Sequence, residues 1–158
     1  APRLEQFARE GIPVKLAVSL NASTDEQRQR LMPINRAYNL ARLIQTCRAY
    51  PLARRDRITF EYVLLGGIND GPEDAQRLSR LVRGIRCKIN LIPFNEFSTS
   101  PFKKPAADRL RRFAEILLAD HLTVTVRESR GQDIYAACGQ LRTNEVHEAE
   151  NVPAAINL

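Results

Sequence analysis

A single cysteine near the end of the sequence stands in a setting that suits covalent chemistry. Cys138 follows Ala136 and Ala137 and precedes Gly139, so small neighbours leave its thiol open to a bulky substrate. The thiolate form of cysteine is a strong nucleophile, and a lowered pKa makes it available. Unpaired cysteines are also among the most buried residue types. The residues alone therefore leave a reactive role and a packing role both open.

A second set of candidate residues follows the apolar runs that predict strands. Ser19 and Asn21 lie at the end of the first run, Asn69 and Asp70 follow the second, and Asn95 follows the third. Ligands of parallel α/β folds collect beyond the carboxyl ends of the strands, so these residues are candidate ligand contacts. Asparagine and aspartate beside glycine also make turns, and Ser19 or Asn21 could instead cap the helix that follows.

The elements that must position these residues alternate along the chain. Asn39 can cap a helix that runs to about Tyr50, Pro72 suits the first turn of the next helix, and Asp108 begins a third. Alternation with short connections predicts an α/β fold of parallel (β/α) repeats, and a parallel sheet is expected to be covered on both faces. The predicted strands span residues 14–20, 57–65, 87–94 and 122–127.

Charge favours a polyanionic partner. Lysine and arginine number 24 against 18 aspartate and glutamate, the formal charge is +6, and the sequence pI is about 9.6. Such a balance is typical of proteins that bind nucleic acid, although many basic domains bind none. The basic residues cluster in residues 48–57, at Lys103 and Lys104, and in residues 109–112.

The three cysteines and the hydropathy limit the kind of protein this can be and the compartment that suits it. Cys47, Cys87 and Cys138 are widely spaced and odd in number, so they indicate neither a disulfide framework nor a metal site. Cys47 falls on a predicted helix and Cys87 begins a predicted strand, so both are interpreted as packing residues. No apolar run approaches the roughly 20 residues that span a bilayer. A soluble, cytoplasmic protein is the expectation.

Charged residues inside and after the predicted strands need partners. Glu61 lies in the second strand between Phe60 and Tyr62, and we expect a structural salt bridge there. Arg127 and Arg130 follow the last strand, and either hold the loop that carries Cys138 or contact RNA phosphate.

Several short blocks, taken in their order and spacing, resemble one family: the radical S-adenosylmethionine (SAM) methyltransferases that methylate an adenine of 23S ribosomal RNA. The resemblance runs from about Val14 to about Leu141. Each block is weak alone, but the ordered set is specific. The blocks are Lys15–Ala22, Met32–Asn35, Phe60–Val63, Gly67–Asp70, Lys88–Asn95, Arg127–Gly131 and Cys138–Leu141.

The resemblance implies roles for five residues. Ser19, Leu20 and Asn21 match the strand-end segment that contacts SAM in the family, and Asn95 matches a second contact. Cys138 matches the cysteine that carries the methyl group as S-methylcysteine. The implied reaction methylates carbon 2 of adenine in 23S rRNA, with tRNA as a second candidate substrate. Carbon-8 methylation by a sibling enzyme and a non-catalytic basic RNA-binding module are the alternatives.

One departure from the family qualifies the function. Its members hold a 4Fe–4S cluster on a CxxxCxxC motif, and this sequence has no such motif. Four strands are too few to close a barrel, and residues 1–11 resemble a helix that ends at glycine. We expect residues 1–141 to be the C-terminal half of a radical SAM partial barrel and residues 142–158 to be a tail. The chain would be inactive without its N-terminal half, and the exposed edge of its first strand predicts self-association.

Overall fold

The computed structural model describes residue 6, residues 15–97 and residues 99–127. Cys138, Arg130 and the predicted tail lie outside the described residues. The described residues belong to one compact unit, Ala1–Glu128. Their elements are β1 (Ala17–Ser19), α1 (Asp25–Leu31), a 3-10 helix (Pro33–Arg36), α2 (Leu40–Ala49), β2 (Ile58–Leu64), α3 (Pro72–Val82), β3 (Cys87–Pro93), α4 (Ala107–Ala119) and β4 (Thr123–Val126).

The four strands form one parallel sheet in the order β1-β2-β3-β4. Each strand lies within a predicted apolar run, so the predicted α/β fold of parallel (β/α) repeats is confirmed. Within the described residues β1 pairs with β2 alone, which leaves its other edge unpaired. Self-association through that edge stays a prediction.

The helices and the apolar face of the sheet form the core. Residues of β2 alternate between the two faces of the sheet, and Phe60 and Tyr62 on the covered face are fully buried. The ring of Tyr62 lies 5.3 Å from that of Phe113 on α4. Leu43 of α2 and Leu78 of α3 belong to the same cluster, so the three longest helices all pack on one face of the sheet.

The opposite face of the sheet is mainly polar, although Val63 and Ile92 also lie on it. Among the described residues the expected cover is found on one face only. In the described part of the chain the three longest helices, α2, α3 and α4, contribute their apolar residues to the core on the other side and leave this face open. Thr59, Glu61, Lys88, Asn90, Thr123 and Thr125 occupy the alternate positions of β2, β3 and β4, and all six are half-buried or exposed.

Local capping agrees with the sequence at most helix starts. Asn39 caps α2 by accepting a hydrogen bond from the backbone N–H of Arg42 (3.0 Å), and α3 begins at Pro72 as predicted. Helix α1 is capped by Thr24, whose hydroxyl oxygen accepts from the backbone N–H of Gln27 (3.2 Å). Neither Ser19 nor Asn21 therefore caps this helix.

Candidate functional site

Three predicted contact residues lie at the end of β1. One of them is exposed on the open face, and contacts within the fold bind the other two. Ser19 is exposed, and its hydroxyl donates to Oε2 of Glu61 (3.4 Å). Leu20 is fully buried in the core. Its backbone N–H donates to the backbone oxygen of Glu61 (2.9 Å). Leu20 thus anchors the segment, whereas the hydroxyl oxygen of Ser19 is open to a ligand.

The side chain of Asn21 takes the place of a backbone hydrogen-bond acceptor at the end of the sheet. The residue has a positive φ of 56°, so the chain leaves the sheet after Ser19. Oδ1 of Asn21 accepts from the backbone N–H of Val63 (2.9 Å), which β1 no longer satisfies. Nδ2 of Asn21 makes one long contact, 3.5 Å to the sulfur of Met32, so one of its hydrogens stays available.

A buried asparagine locks the ends of β1 and β2 together. Nδ2 of Asn69 donates to the backbone oxygens of Asn21 and Val63 (both 2.8 Å), and its Oδ1 accepts from the backbone N–H of Leu65 (2.7 Å). The hydroxyl of Tyr62 donates to the backbone oxygen of Asn69 (3.0 Å). Burial raises the pKa of Tyr62, so this donor keeps its proton. Asn69 is a structural link, as the turn interpretation allowed.

Asp70 is likewise committed to the fold. Its Oδ1 accepts from the backbone N–H of Gly67 (3.0 Å) and from Nη1 of Arg109 on α4 (3.1 Å). Gly66, just before this loop, passes so close to the next segment that a Cβ there would lie 2.6 Å from the backbone oxygen of Lys104. The glycines therefore allow the loop after β2 to pack against the segment before α4, and the hydrogen bonds of Asp70 hold the loop in place.

A buried arginine supports the strand-end segment from behind, and the sequence analysis missed it. Nε of Arg28 donates to the backbone oxygen of Leu20 (3.3 Å), and Nη1 donates to Oδ1 of Asn35 (2.9 Å). Burial lowers the pKa of Arg28, and the charge of Asp25 opposes that shift. Arg28 thereby links the Ser19–Asn21 segment to the Met32–Asn35 block. Its position on a helix surface gave no signal of this burial.

Asn95, after β3, is the predicted contact residue with the most freedom. Asn95 is half-buried, and within the described residues no group hydrogen bonds to its carboxamide. The loop around it is held by apolar contacts, with the ring of Phe94 5.9 Å from that of Phe97 and 6.0 Å from that of Phe102. A rigid loop with an uncommitted carboxamide suits recognition of a ligand that offers both donors and acceptors.

The open face carries a row of polar residues that sequence reasoning did not assemble. Parallel register aligns Ser19, Glu61, Asn90 and Thr125 across the four strands. The hydroxyl of Thr125 donates to Oδ1 of Asn90 (3.1 Å). Among the described residues Glu61 forms no ion pair, and its partner is the hydroxyl of Ser19. The expected salt bridge stays a prediction. The alternation of polar residues along β2, β3 and β4 is the sequence signal that could have predicted this row.

The two described cysteines are unsuited to nucleophilic chemistry. Cys47 and Cys87 are buried and unpaired. Burial raises the pKa of each thiol to about 11, so both stay protonated near neutral pH. Their interpretation as packing residues agrees with this burial. The role of Cys138 stays a prediction.

The basic residues of the helices are partly committed to the fold. A groove of about 650 Å³ between α2 and α3 is lined by Arg48, Arg77 and Arg80. Arg77 pairs with Asp74 (2.6 Å), and Arg48 donates to backbone oxygens of α3 and the residues after it. On α4, Arg111 and Arg112 pair with Glu115 at the surface, while Arg109 binds Asp70. These partners reduce the positive charge that is left for a polyanionic partner.

Comparisons with known proteins agree with this geometry. No family model matches the chain. It is 60% identical over 140 residues to a dual-specificity RNA methyltransferase RlmN of Anaeromyxobacter sp. (strain Fw109-5), covering 89% of this chain and 37% of the relative. It is 50% identical over 147 residues to the RlmN of Syntrophus aciditrophicus (strain SB), covering 93% of this chain and 42% of the relative. The chain thus spans about two fifths of the length of these relatives.

A solved structure gives the same result for the fold. The crystal structure of a radical SAM methyltransferase from Sphaerobacter thermophilus superposes with a TM-score of 0.80 at 47% identity, covering 88% of this chain and 41% of that one. These similarities confirm the predicted relationship to radical SAM methyltransferases and the predicted fold. None of the described helices is long and apolar enough to cross a membrane.

Proposed function

From the relationship of this chain to the RlmN radical SAM methyltransferases, we propose that it is part of an enzyme that methylates carbon 2 of adenine in RNA. One observation carries the proposal: identity of 50–60% to RNA methyltransferases extends over about nine tenths of the chain. The polar residues at the carboxyl ends of the parallel strands support it, because ligands of such folds bind there. The proposed substrates are 23S rRNA and tRNA.

The strand-end residues fit SAM as a cofactor. Ser19 and Asn95 present a hydroxyl and a free carboxamide, which suit the ribose and amino-acid parts of SAM. Asn21 and Leu20 fix the segment that carries Ser19, through the backbone of Val63 and the apolar core. This division assigns direct contacts to Ser19 and Asn95, and positioning to Leu20 and Asn21.

Cys138 is the proposed methyl carrier. Its thiolate would attack the methyl carbon of SAM, forming a sulfur–carbon bond while S-adenosylhomocysteine leaves with the electron pair of the broken bond. A 4Fe–4S cluster, with ligands outside this chain, would supply the electron for the radical chemistry that activates this methyl group. The target base must leave its stack to reach such a site. The product, linked to Cys138, would be released by a further cysteine, and the buried Cys47 and Cys87 do not suit that role.

The experiment uses the complete natural protein with its cluster reconstituted. Wild type and Cys138→Ala are incubated with SAM and 23S rRNA or tRNA, and nucleosides are identified by mass spectrometry and chromatography. We expect 2-methyladenosine from the wild type and none from Cys138→Ala. Cys47→Ala, which removes a buried thiol, is the matched control and should retain methylation.

Three other outcomes would change the conclusion. 8-Methyladenosine as the product would replace carbon 2 with carbon 8. Methylation that survives Cys138→Ala would remove this residue from the mechanism. No methylation by the complete, folded wild type would favour the non-catalytic RNA-binding module. The 158-residue chain alone should bind no cluster and should show no activity.

A further inference from the structure

The row of polar residues on the open face holds a carboxylate beside the proposed cofactor contact. Ser19 and Glu61 are register partners on neighbouring strands, and the Ser19 hydroxyl donates to Oε2 of Glu61 (3.4 Å). Since the hydroxyl proton is directed at Glu61, the Ser19 oxygen turns its lone pairs outward. A ligand group that meets Ser19 here must therefore be a hydrogen-bond donor.

The charge of Glu61 lacks a counterion on this face. Within the described residues no lysine or arginine forms an ion pair with it, and Oε1 has no hydrogen-bond partner. Arg57, the basic residue at the start of β2, donates instead to the hydroxyl of Thr123 (2.8 Å). A half-buried carboxylate that has one long hydrogen bond and no described counterion is costly, and a cationic or hydrogen-donating ligand would offset that cost.

The next residue of the row adds an amide beside this carboxylate. Asn90 is the register partner of Glu61 on β3. Oγ1 of Thr125 lies within hydrogen-bond distance of Oδ1 of Asn90 (3.1 Å) and of the backbone oxygen of Ile89 (3.4 Å). The open face therefore presents a carboxylate and an amide side by side.

Stability does not account for the Ser19–Glu61 pair. The hydrogen bond is long and exposed, and a contact of this geometry contributes little to stability. A polar or small residue at position 61 would suit a half-buried strand site equally well without the cost of a charge. The pair is better explained by a ligand.

We propose that Glu61 is a positioning residue for the methyl donor, SAM: it directs the Ser19 hydroxyl and places a negative charge toward a donor group of the cofactor. The inference rests on the proposed function. SAM offers three such donor groups, the ammonium of its amino-acid part, the hydroxyls of its ribose and the 6-amino group of its adenine. Each of these groups is a hydrogen-bond donor that could bind the carboxylate of Glu61 and the hydroxyl oxygen of Ser19.

The experiment measures equilibrium binding of SAM to the complete, cluster-reconstituted enzyme by calorimetry. Glu61→Gln keeps the size and one acceptor of the side chain but removes its charge. We expect SAM affinity to fall about tenfold, as for loss of a charged hydrogen-bond partner. Thr59→Ala, on the same strand and the same face two register pairs earlier, is the matched control and should leave affinity unchanged.

A second series tests whether Glu61 acts through Ser19. Ser19→Ala, Glu61→Gln and the double variant form a cycle, and we expect the double variant to lose clearly less affinity than the two single losses predict together. A merely structural role would lower the melting temperature of Glu61→Gln and leave the cycle additive. Equal melting temperatures with a non-additive cycle support the positioning role.

The donor group is identified with 5′-methylthioadenosine, which keeps the ribose and lacks the amino-acid part. A loss that is equal for both ligands assigns the nucleoside part, with its ribose hydroxyls and adenine amino group, and a loss confined to SAM assigns the cationic part that 5′-methylthioadenosine lacks. Unchanged SAM affinity in Glu61→Gln, or strict additivity with Ser19→Ala, would overturn the inference while leaving the proposed function intact. Failure of the wild type to bind SAM would overturn both.

Discussion

The two faces of the sheet are built from alternate residues of the same strands, yet they have opposite chemistry. On the covered face, Phe60 and Tyr62 are fully buried under the helices. On the open face, Glu61 between them is half-buried and bonded to a serine hydroxyl. The difference teaches that one face carries the stability of the fold and the other is available for a ligand. Substitutions one residue apart should therefore have different consequences.

The largest effect is expected on the covered face. Phe60→Ala removes a fully buried ring and should lower the free energy of unfolding by about 3–5 kcal/mol. Urea unfolding followed by circular dichroism measures the loss. Thr59→Ala, the neighbouring residue on the open face, should cost less than about 1 kcal/mol. Similar losses for both variants would contradict the division between the faces.

A smaller loss of unfolding free energy is expected at the strand ends, where two asparagines have different roles. Asn69→Ala leaves two backbone oxygens and one backbone N–H without their partner, and should cost about 2–4 kcal/mol. Asn95→Ala removes no described hydrogen bond and should cost under about 0.5 kcal/mol. The same unfolding experiment compares them, and an equal cost would mean that Asn95 is also structural.

Alkaline pH should weaken the covered face specifically. The folded chain holds the protons of Cys47 and Cys87 up to a pKa of about 11, whereas the unfolded chain releases them near its ordinary value of 9.0. Their contribution to stability is thus complete below about pH 9 and is lost as the pH rises toward 11, by about 1–3 kcal/mol in total.

Unfolding midpoints in urea at about pH 8 and about pH 10.5 measure this alkaline loss. Cys47→Val keeps the apolar contact and removes one ionisable thiol, so its midpoint should depend less on pH than that of the wild type. Equal pH dependence of the two proteins would show that the burial of Cys47 does not control its ionisation.

The smallest effect on stability is expected on the open face. Ser19→Ala removes an exposed hydroxyl and one long hydrogen bond, and should change the free energy of unfolding by no more than about 0.5 kcal/mol. Its effect should instead be on ligand binding. A loss above about 1 kcal/mol would show that Ser19 supports the sheet and would weaken the comparison.

The sequence predicted the strand ends well, and the tasks of individual residues less well. Ser19 ends β1, and Asn69 and Asn95 follow β2 and β3, as expected. Nothing local distinguishes Asn69, which is bound by the backbone of two strands, from Asn95, which has no described partner. The distinction depends on how sharply the chain turns after each strand, and that turn is set by contacts distant in sequence.

Apolar periodicity, turn residues and capping signals by themselves determined the order of strands and helices, because these signals act between residues a few positions apart. The ordered motifs likewise determined the relationship to radical SAM methyltransferases. Only the tertiary structure decided that the helices cover one face of the sheet and that Glu61 meets Ser19, 42 positions away. Strand register brings such residues together, and register results from the packing of the whole core.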